Sequence, residues 1–182
     1  MPTLAPKHTL LRSADALKFC QQQVAVSGVV RLAELPRLAA SLREAEGEAL
    51  VDVAFGVDQQ KRKVLSGRLQ AVLPLVCQRC LDSIDWPVVG QFSLALVWND
   101  EQASQLPSTL DPVLMDSEEL DLYAIVEDEL LLALPLVAHH EAALCRAPSH
   151  TVTLLDIDAD RKKNPFQVLS GLNVKKKPLE GS

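Results

Sequence analysis

The feature that most constrains this chain is a pair of long β-rich segments that meet at Cys77-Gln78-Arg79-Cys80. Residues 63–78 (KVLSGRLQAVLPLVCQ) and 84–98 (IDWPVVGQFSLALVW) read as successive strands, and the cysteine pair falls at or near the turn between them. Two thiols spaced this way on a turn point both sulfurs inward and can grip one soft metal ion. A second pair, His140-x4-Cys145, supplies a nitrogen and a third sulfur and would close a tetrahedron. A site filled by four protein ligands has no open position, so it shapes the protein and does not catalyse. The expectation is therefore a structural zinc site on Cys77, Cys80, His140 and Cys145, bridging the 59 residues between Cys80 and His140. His139 is the competing ligand. Two other readings stay open. One is a thiol redox pair, although the thioredoxin type sits at a helix start in a βαβ unit. The other is a set of small buried thiols that behave as hydrophobes, which is also the simplest reading of Cys20.

The surrounding pattern predicts an α+β domain over residues 1–147: an antiparallel β-sheet of about four strands with helices packed on it. SADALKFCQ (13–21) reads as a short helix capped by Ser13, and QVAVSGVV (23–30) as a strand. Residues 32–49 show helical spacing at Leu35, Leu38 and Leu42, with Gly47 as a stop. In 49–60, Leu50, Asp52 and Ala54 alternate with Val51, Val53 and Phe55, and Gly56 marks a bulge before a hairpin turn. Residues 99–120 are acidic, contain Pro107 and Pro112, and read as a long loop. ELDLYAIVEDELLLALP (119–135) is the strongest helix signal, with Leu122, Val126, Glu129 and Ala133 on one stripe and Pro135 at its end. Residues 148–182 read as a largely disordered basic tail holding one short docking segment, 164–172, with Asn164-Pro165-Phe166 at its head.

Carboxylates at 127–129 raise the possibility of acid–base chemistry, but no companion signature accompanies them. Glu129 lies on the apolar stripe, so it is expected to be buried with a basic partner from the sheet, Arg68 or Arg79. Arg79 also reads either as a phosphate contact on an exposed turn or as local charge balance beside a metal site of net charge −1. No phosphate loop, nucleophile elbow, metalloprotease helix or kinase set is present in the sequence. The expectation is a protein that is not an enzyme and has no small-molecule substrate.

The net charge of −6 conceals segregation: residues 1–100 carry +1, residues 101–160 carry −12 and residues 161–182 carry +5. The middle block would repel nucleic acid and suits a basic protein as partner. The tail, with Arg161, Lys162, Lys163, Lys175, Lys176 and Lys177, would attract nucleic-acid phosphates, or serves only as a solubilising end. The longest apolar run, residues 130–138, is too short for a bilayer and contains Pro135. With no signal-peptide stretch at the amino terminus, the expected location is cytoplasmic, with no membrane partner.

Several of these segments occur together in a familiar order. VCQRCLD (76–82), DLYAIVEDELLLALPLVAHH (121–140), Cys145 and NPFQVLSGL (164–172) resemble the bacterial YceD family. The resemblance implies a role in accumulation of large-subunit (23S) ribosomal RNA, through its synthesis, processing or stability, with the RNA or a precursor particle as partner of the basic tail and a basic ribosomal protein or assembly factor as partner of the acidic block. It carries no catalytic residues. The matching positions include Cys77, Cys80, Leu81, Asp121, Leu122, Glu127, Glu129, Leu131, Leu132, Pro135, His140, Cys145, Asn164, Pro165 and Phe166. Other functions remain open: a zinc-stabilised protein-interaction adaptor without direct RNA contact, or a metal-dependent RNA-processing enzyme.

Overall fold

The structure, a computed structural model, describes residues 8–141 and 144–146. It is an α+β fold. Its main sheet has five strands in the order β2 (Ala25–Arg31), β3 (Glu48–Val57), β4 (Lys63–Val76), β5 (Ser83–Val97) and β6 (Asp111–Leu114). The first four are antiparallel neighbours, as their consecutive hairpins dictate, and β6 adds in parallel to β5. A small second sheet pairs β1 (Ser13–Asp15) with β7 (Glu119–Asp121).

The alternation expected in β3 is present: Val51, Val53 and Phe55 are buried while Asp52 and Ala54 face outward. On β4 the same period buries Leu65, Leu69, Leu73 and Leu75, and on β5 it buries Val88, Phe92, Leu94 and Leu96. Gly67 lies opposite Phe92 in this ladder. A Cβ added there would stand 2.1 Å from the Phe92 ring, so the aromatic side chain occupies the space that the glycine leaves.

Helices α1 (Ala16–Gln22) and α4 (Leu122–Leu132) cover the apolar face. Phe19 of α1 meets Phe55 edge-to-face at 5.3 Å, and Cys20 is fully buried beside them, as expected of a core thiol. The opposite face of the sheet is uncovered among the described residues and carries Arg68 and the exposed Val72 and Val89.

Several local expectations are corrected. The first helix starts at Ala16, because Asp15 and not Ser13 accepts the helical Lys18 N–H, and Ser13 belongs to β1. Residues 32–49 form no long helix. A 3-10 turn at Leu32–Glu34 is followed by the four-residue α2 (Pro36–Ala39), since Pro36 has no N–H to continue the preceding turn and fits the first helical position. Gly56 pairs regularly with Val64, without a bulge, and Asp58 closes the turn by accepting N–H groups from Gln60 and Arg62. The acidic stretch 99–120 is not a loop throughout: it contains α3 (Asp100–Ser104), capped by Asn99, then β6 and the start of β7. The long helix begins three residues later than its sequence signal, at Leu122, where Asp121 accepts the Tyr123 and Ala124 N–H groups.

Candidate metal centre

The β4–β5 hairpin ends in the cysteine turn. Pairing runs to Val76–Ser83, and the Cys77 N–H then donates to Asp82 O at 2.9 Å. Inside this closure the Leu81 N–H reaches back to Cys77 O, and Leu81 takes a left-handed φ of 62°. A left-handed residue at this point reverses the chain within a few residues. The Gln78 N–H donates to Ala138 O at 2.8 Å and so ties the turn to the segment that follows α4. That segment delivers His140, and Cys145 returns to it through N–H donation to Glu141 O.

The donor atoms of Cys77, Cys80, His140 and Cys145 consequently lie within 4.8 Å of one another. Cys77 Sγ is 3.9 Å from Cys145 Sγ, and Cys80 Sγ is 3.4 Å from His140 Nδ1. Bond lengths of about 2.3 Å to sulfur and about 2.0–2.1 Å to nitrogen give tetrahedron edges of about 3.8 Å for S–S and about 3.5 Å for S–N. The residues therefore fit a metal of zinc's size and ligand preference. Nε2 of His140 lies 3.1 Å from Ser83 O and can donate its proton there, leaving Nδ1 with its lone pair towards Cys80. Ser83 was not foreseen from the sequence. A carbonyl acceptor leaves no side-chain signature, and only the hairpin register places it.

Burial alone pushes the Cys77 thiol up, but the N–H groups of Cys80, His140 and Arg79 converge on its sulfur and bring it down to about 5. For Cys80 the Asp82 N–H pulls downward, yet burial and the sulfurs of Cys77 and Cys145 outweigh it and hold the thiol at about 11. Three sulfurs this close cannot all ionise without a cation between them. The three cysteines and the histidine can together hold a metal ion. His139, the competing ligand, is exposed and turns its Nδ1 towards His140 O, outside the cluster.

The remaining predicted residues fall elsewhere. Arg79 is exposed on the turn and makes no ion pair among the described residues. Glu129 is not the buried carboxylate and pairs with neither Arg68 nor Arg79. The inner face of α4 runs through Leu122, Tyr123, Val126, Glu127 and Leu130, which turns Glu129 sideways towards β6. Burial first, then the charges of Asp111 and Asp128, raise its pKa. The buried acid is Glu127, whose carboxylate accepts from the backbone N–H groups of Arg37 and Leu38 and from Arg37 Nε. Those two N–H groups are the first turn of α2, whose own cap residue, Leu35, has no side-chain acceptor. A proline-started helix without a polar cap is the signal that such an outside acceptor was needed. Arg161, Lys162, Lys163, Asn164, Pro165, Phe166, Lys175, Lys176 and Lys177 lie outside the described residues.

Fold and site together define a small α+β domain whose principal hairpin ends in a three-cysteine, one-histidine cluster. Sequence comparison places it more closely. The sequence model of the family described as "Large ribosomal RNA subunit accumulation protein YceD" matches residues 65–173, and the chain belongs to that family. A Haemophilus influenzae protein with the same description is 35% identical over 166 residues, spanning 90% of this chain and 95% of the relative. The family match opens in β4 and takes in the hairpin, all four cluster residues and α4. No solved structure matches the chain at a significant level. Among the described residues, no helix is long and apolar enough to cross a membrane.

Proposed function

We propose that this protein is a non-catalytic ribosome-biogenesis factor that acts in the synthesis, processing or stability of large-subunit (23S) ribosomal RNA, on a fold stapled by zinc. The observation that carries this reading is the relationship along nearly the whole chain to a protein described by large ribosomal RNA subunit accumulation. Zinc held by Cys77, Cys80, His140 and Cys145 would lock the hairpin turn to the segment after α4; when bound it supplies cross-linking and charge neutralisation, not a reactive centre. The basic residues of the tail would contact RNA phosphates, and the acidic block would face a cationic protein of the precursor particle.

The commitment of Glu127 and Asp128 favours this reading over an RNA-processing enzyme. Both oxygens of Glu127 are committed to α2, and Asp128 is bonded to Arg37 Nη1 at 2.7 Å. A second reading, an adaptor without direct RNA contact, draws support from the net −12 of residues 101–160, which opposes approach of a polyanion.

Depletion of the protein followed by quantification of large-subunit against small-subunit RNA tests the role, with selective loss of the former expected. Sedimentation of tagged protein with large-subunit precursors, lost on removal of residues 161–182, separates RNA contact from the adaptor reading. Unchanged large-subunit RNA after depletion would overturn the proposal.

A further inference from the structure

A recess of about 630 Å³ opens between α4 and β6, on the edge of the main sheet. Leu94 and Ile125 line it with buried apolar surface, and Leu114 and Leu132 extend that surface outward although they are 53% and 79% exposed. Three carboxylates surround it: Asp111, Asp128 and Glu129. Among the described residues, no lysine, arginine or histidine lines it. Asp128 pairs with Arg37 of α2, which also serves Glu127. Asp111 and Glu129 have no ion-pair partner among the described residues.

We infer that this groove binds a cationic polypeptide segment of another protein, with one or two apolar side chains seated between Leu114 and Leu132 and lysine or arginine side chains meeting Asp111 and Glu129. Charge selects this occupant. Carboxylates around an apolar floor repel RNA phosphates and favour lysine or arginine beside an apolar anchor. A second copy of the chain presenting the same face would bring like charges together. Burial first, and then the charges of Asp111 and Asp128, raise the Glu129 pKa, and a cation seated beside it would favour its charged form. Pro112, within β6, offers no backbone N–H, so recognition rests on side chains more than on extension of the sheet. The inference deepens the ribosome-biogenesis reading, from which it takes only the expectation that a basic protein is at hand.

The test uses the full chain and a short fluorescein-labelled peptide of alternating leucine and lysine, followed by anisotropy at low salt. Binding is expected, with affinity reduced about tenfold by Leu132→Ser and by Glu129→Gln. Leu132 is exposed, so its replacement leaves the melting temperature in place. Serine-for-leucine and glutamate-for-lysine versions of the peptide should both fail to bind. Equal binding by wild type and both variants overturns the assignment, as does binding of the serine-for-leucine peptide as tightly as the parent. If Phe166→Asp with Leu169→Asp raises peptide affinity about tenfold, the chain's own segment 164–172 is the resident occupant of the groove, and the assignment to another protein is overturned. Self-association reversed by Leu132→Ser likewise overturns it. A depleted cell complemented with Leu132→Ser separates the two levels. Restored large-subunit RNA refutes only the groove's role there, whereas no effect of depletion itself refutes the broader reading.

Discussion

Glu127 and Arg37, ninety positions apart, are joined through both backbone and side chain. The carboxylate accepts the Arg37 backbone N–H at 2.7 Å and its Nε at 2.8 Å, and takes the Leu38 N–H at 3.1 Å as well. A side chain from the long helix thereby acts as the N-terminal cap of a short helix elsewhere in the chain. Charge at that end also complements the α2 dipole. The acid in the middle of VEDELLLALP is thus a structural pin.

Replacing that pin should destabilise the fold without touching the metal cluster. Glu127→Ala strands two N–H groups, one of them buried, and is expected to cost about 1–3 kcal/mol in urea denaturation. Arg37→Ala should cost less. The guanidinium is half exposed, so water screens its share, while the backbone N–H groups still hold the carboxylate. An Arg37→Ala penalty larger than that of Glu127→Ala would show that the ion pair, and not the cap, dominates.

Purified protein is expected to carry one zinc ion per chain. Removing the ion with a chelator should lower stability by about 3 kcal/mol or more, because an ion that binds only the folded state stabilises it in proportion to the logarithm of its concentration over Kd. Cys77→Ser should abolish uptake, whereas Cys20→Ala should leave it intact, since Cys20 is buried with α1 and reaches the Val64 carbonyl at 3.9 Å. Elemental analysis of the three proteins decides the matter, and equal metal content in wild type and Cys77→Ser would falsify the site.

The hairpin and the cluster were legible in sequence for a shared reason. Period-two burial in β3, β4 and β5 is written one residue at a time, and Cys77-x2-Cys80 sits where two such runs meet. What stayed hidden was long-range. On α4, Val126 fits two stripes, one continuing to Glu129 and one to Leu130, and only packing against the sheet and α2 chooses between them. Strand β6 has no sequence signal of its own, because Pro112 and its acidic neighbours disfavour a strand. It is a short edge strand held in parallel by β5, where such residues are tolerated.

Glu129 should make stability depend on pH in the direction opposite to an ordinary paired carboxylate. Its folded pKa is raised, by burial first and by Asp111 and Asp128 next, so the native state holds its proton more tightly than the unfolded chain. Stability therefore declines as pH rises from the unfolded value through the folded one, and the penalty persists above it. Glu129→Gln should raise the melting temperature at neutral pH, with the gain shrinking as pH falls through that window. A gain independent of pH would point to packing and not to charge.

The two adjacent histidines should separate cleanly in metal binding. His140 presents Nδ1 to Cys80 while its other nitrogen faces Ser83 O, whereas His139 points away from the cluster. His139→Ala is expected to leave zinc affinity within about twofold, a difference of less than about 0.5 kcal/mol. His140→Ala removes a ligand and should weaken binding by more than about tenfold. His140→Cys should restore tight binding as a four-cysteine site, because zinc accepts either donor set in a tetrahedron. Cobalt makes the distinction visible. The tetrahedral absorption of the cobalt-loaded protein should be unaltered by His139→Ala, lost or weakened in His140→Ala, and regained at longer wavelength in His140→Cys as a sulfur replaces a nitrogen. A spectrum that responds to His139 and ignores His140 would require the segment after α4 to enter the cluster one residue out of register.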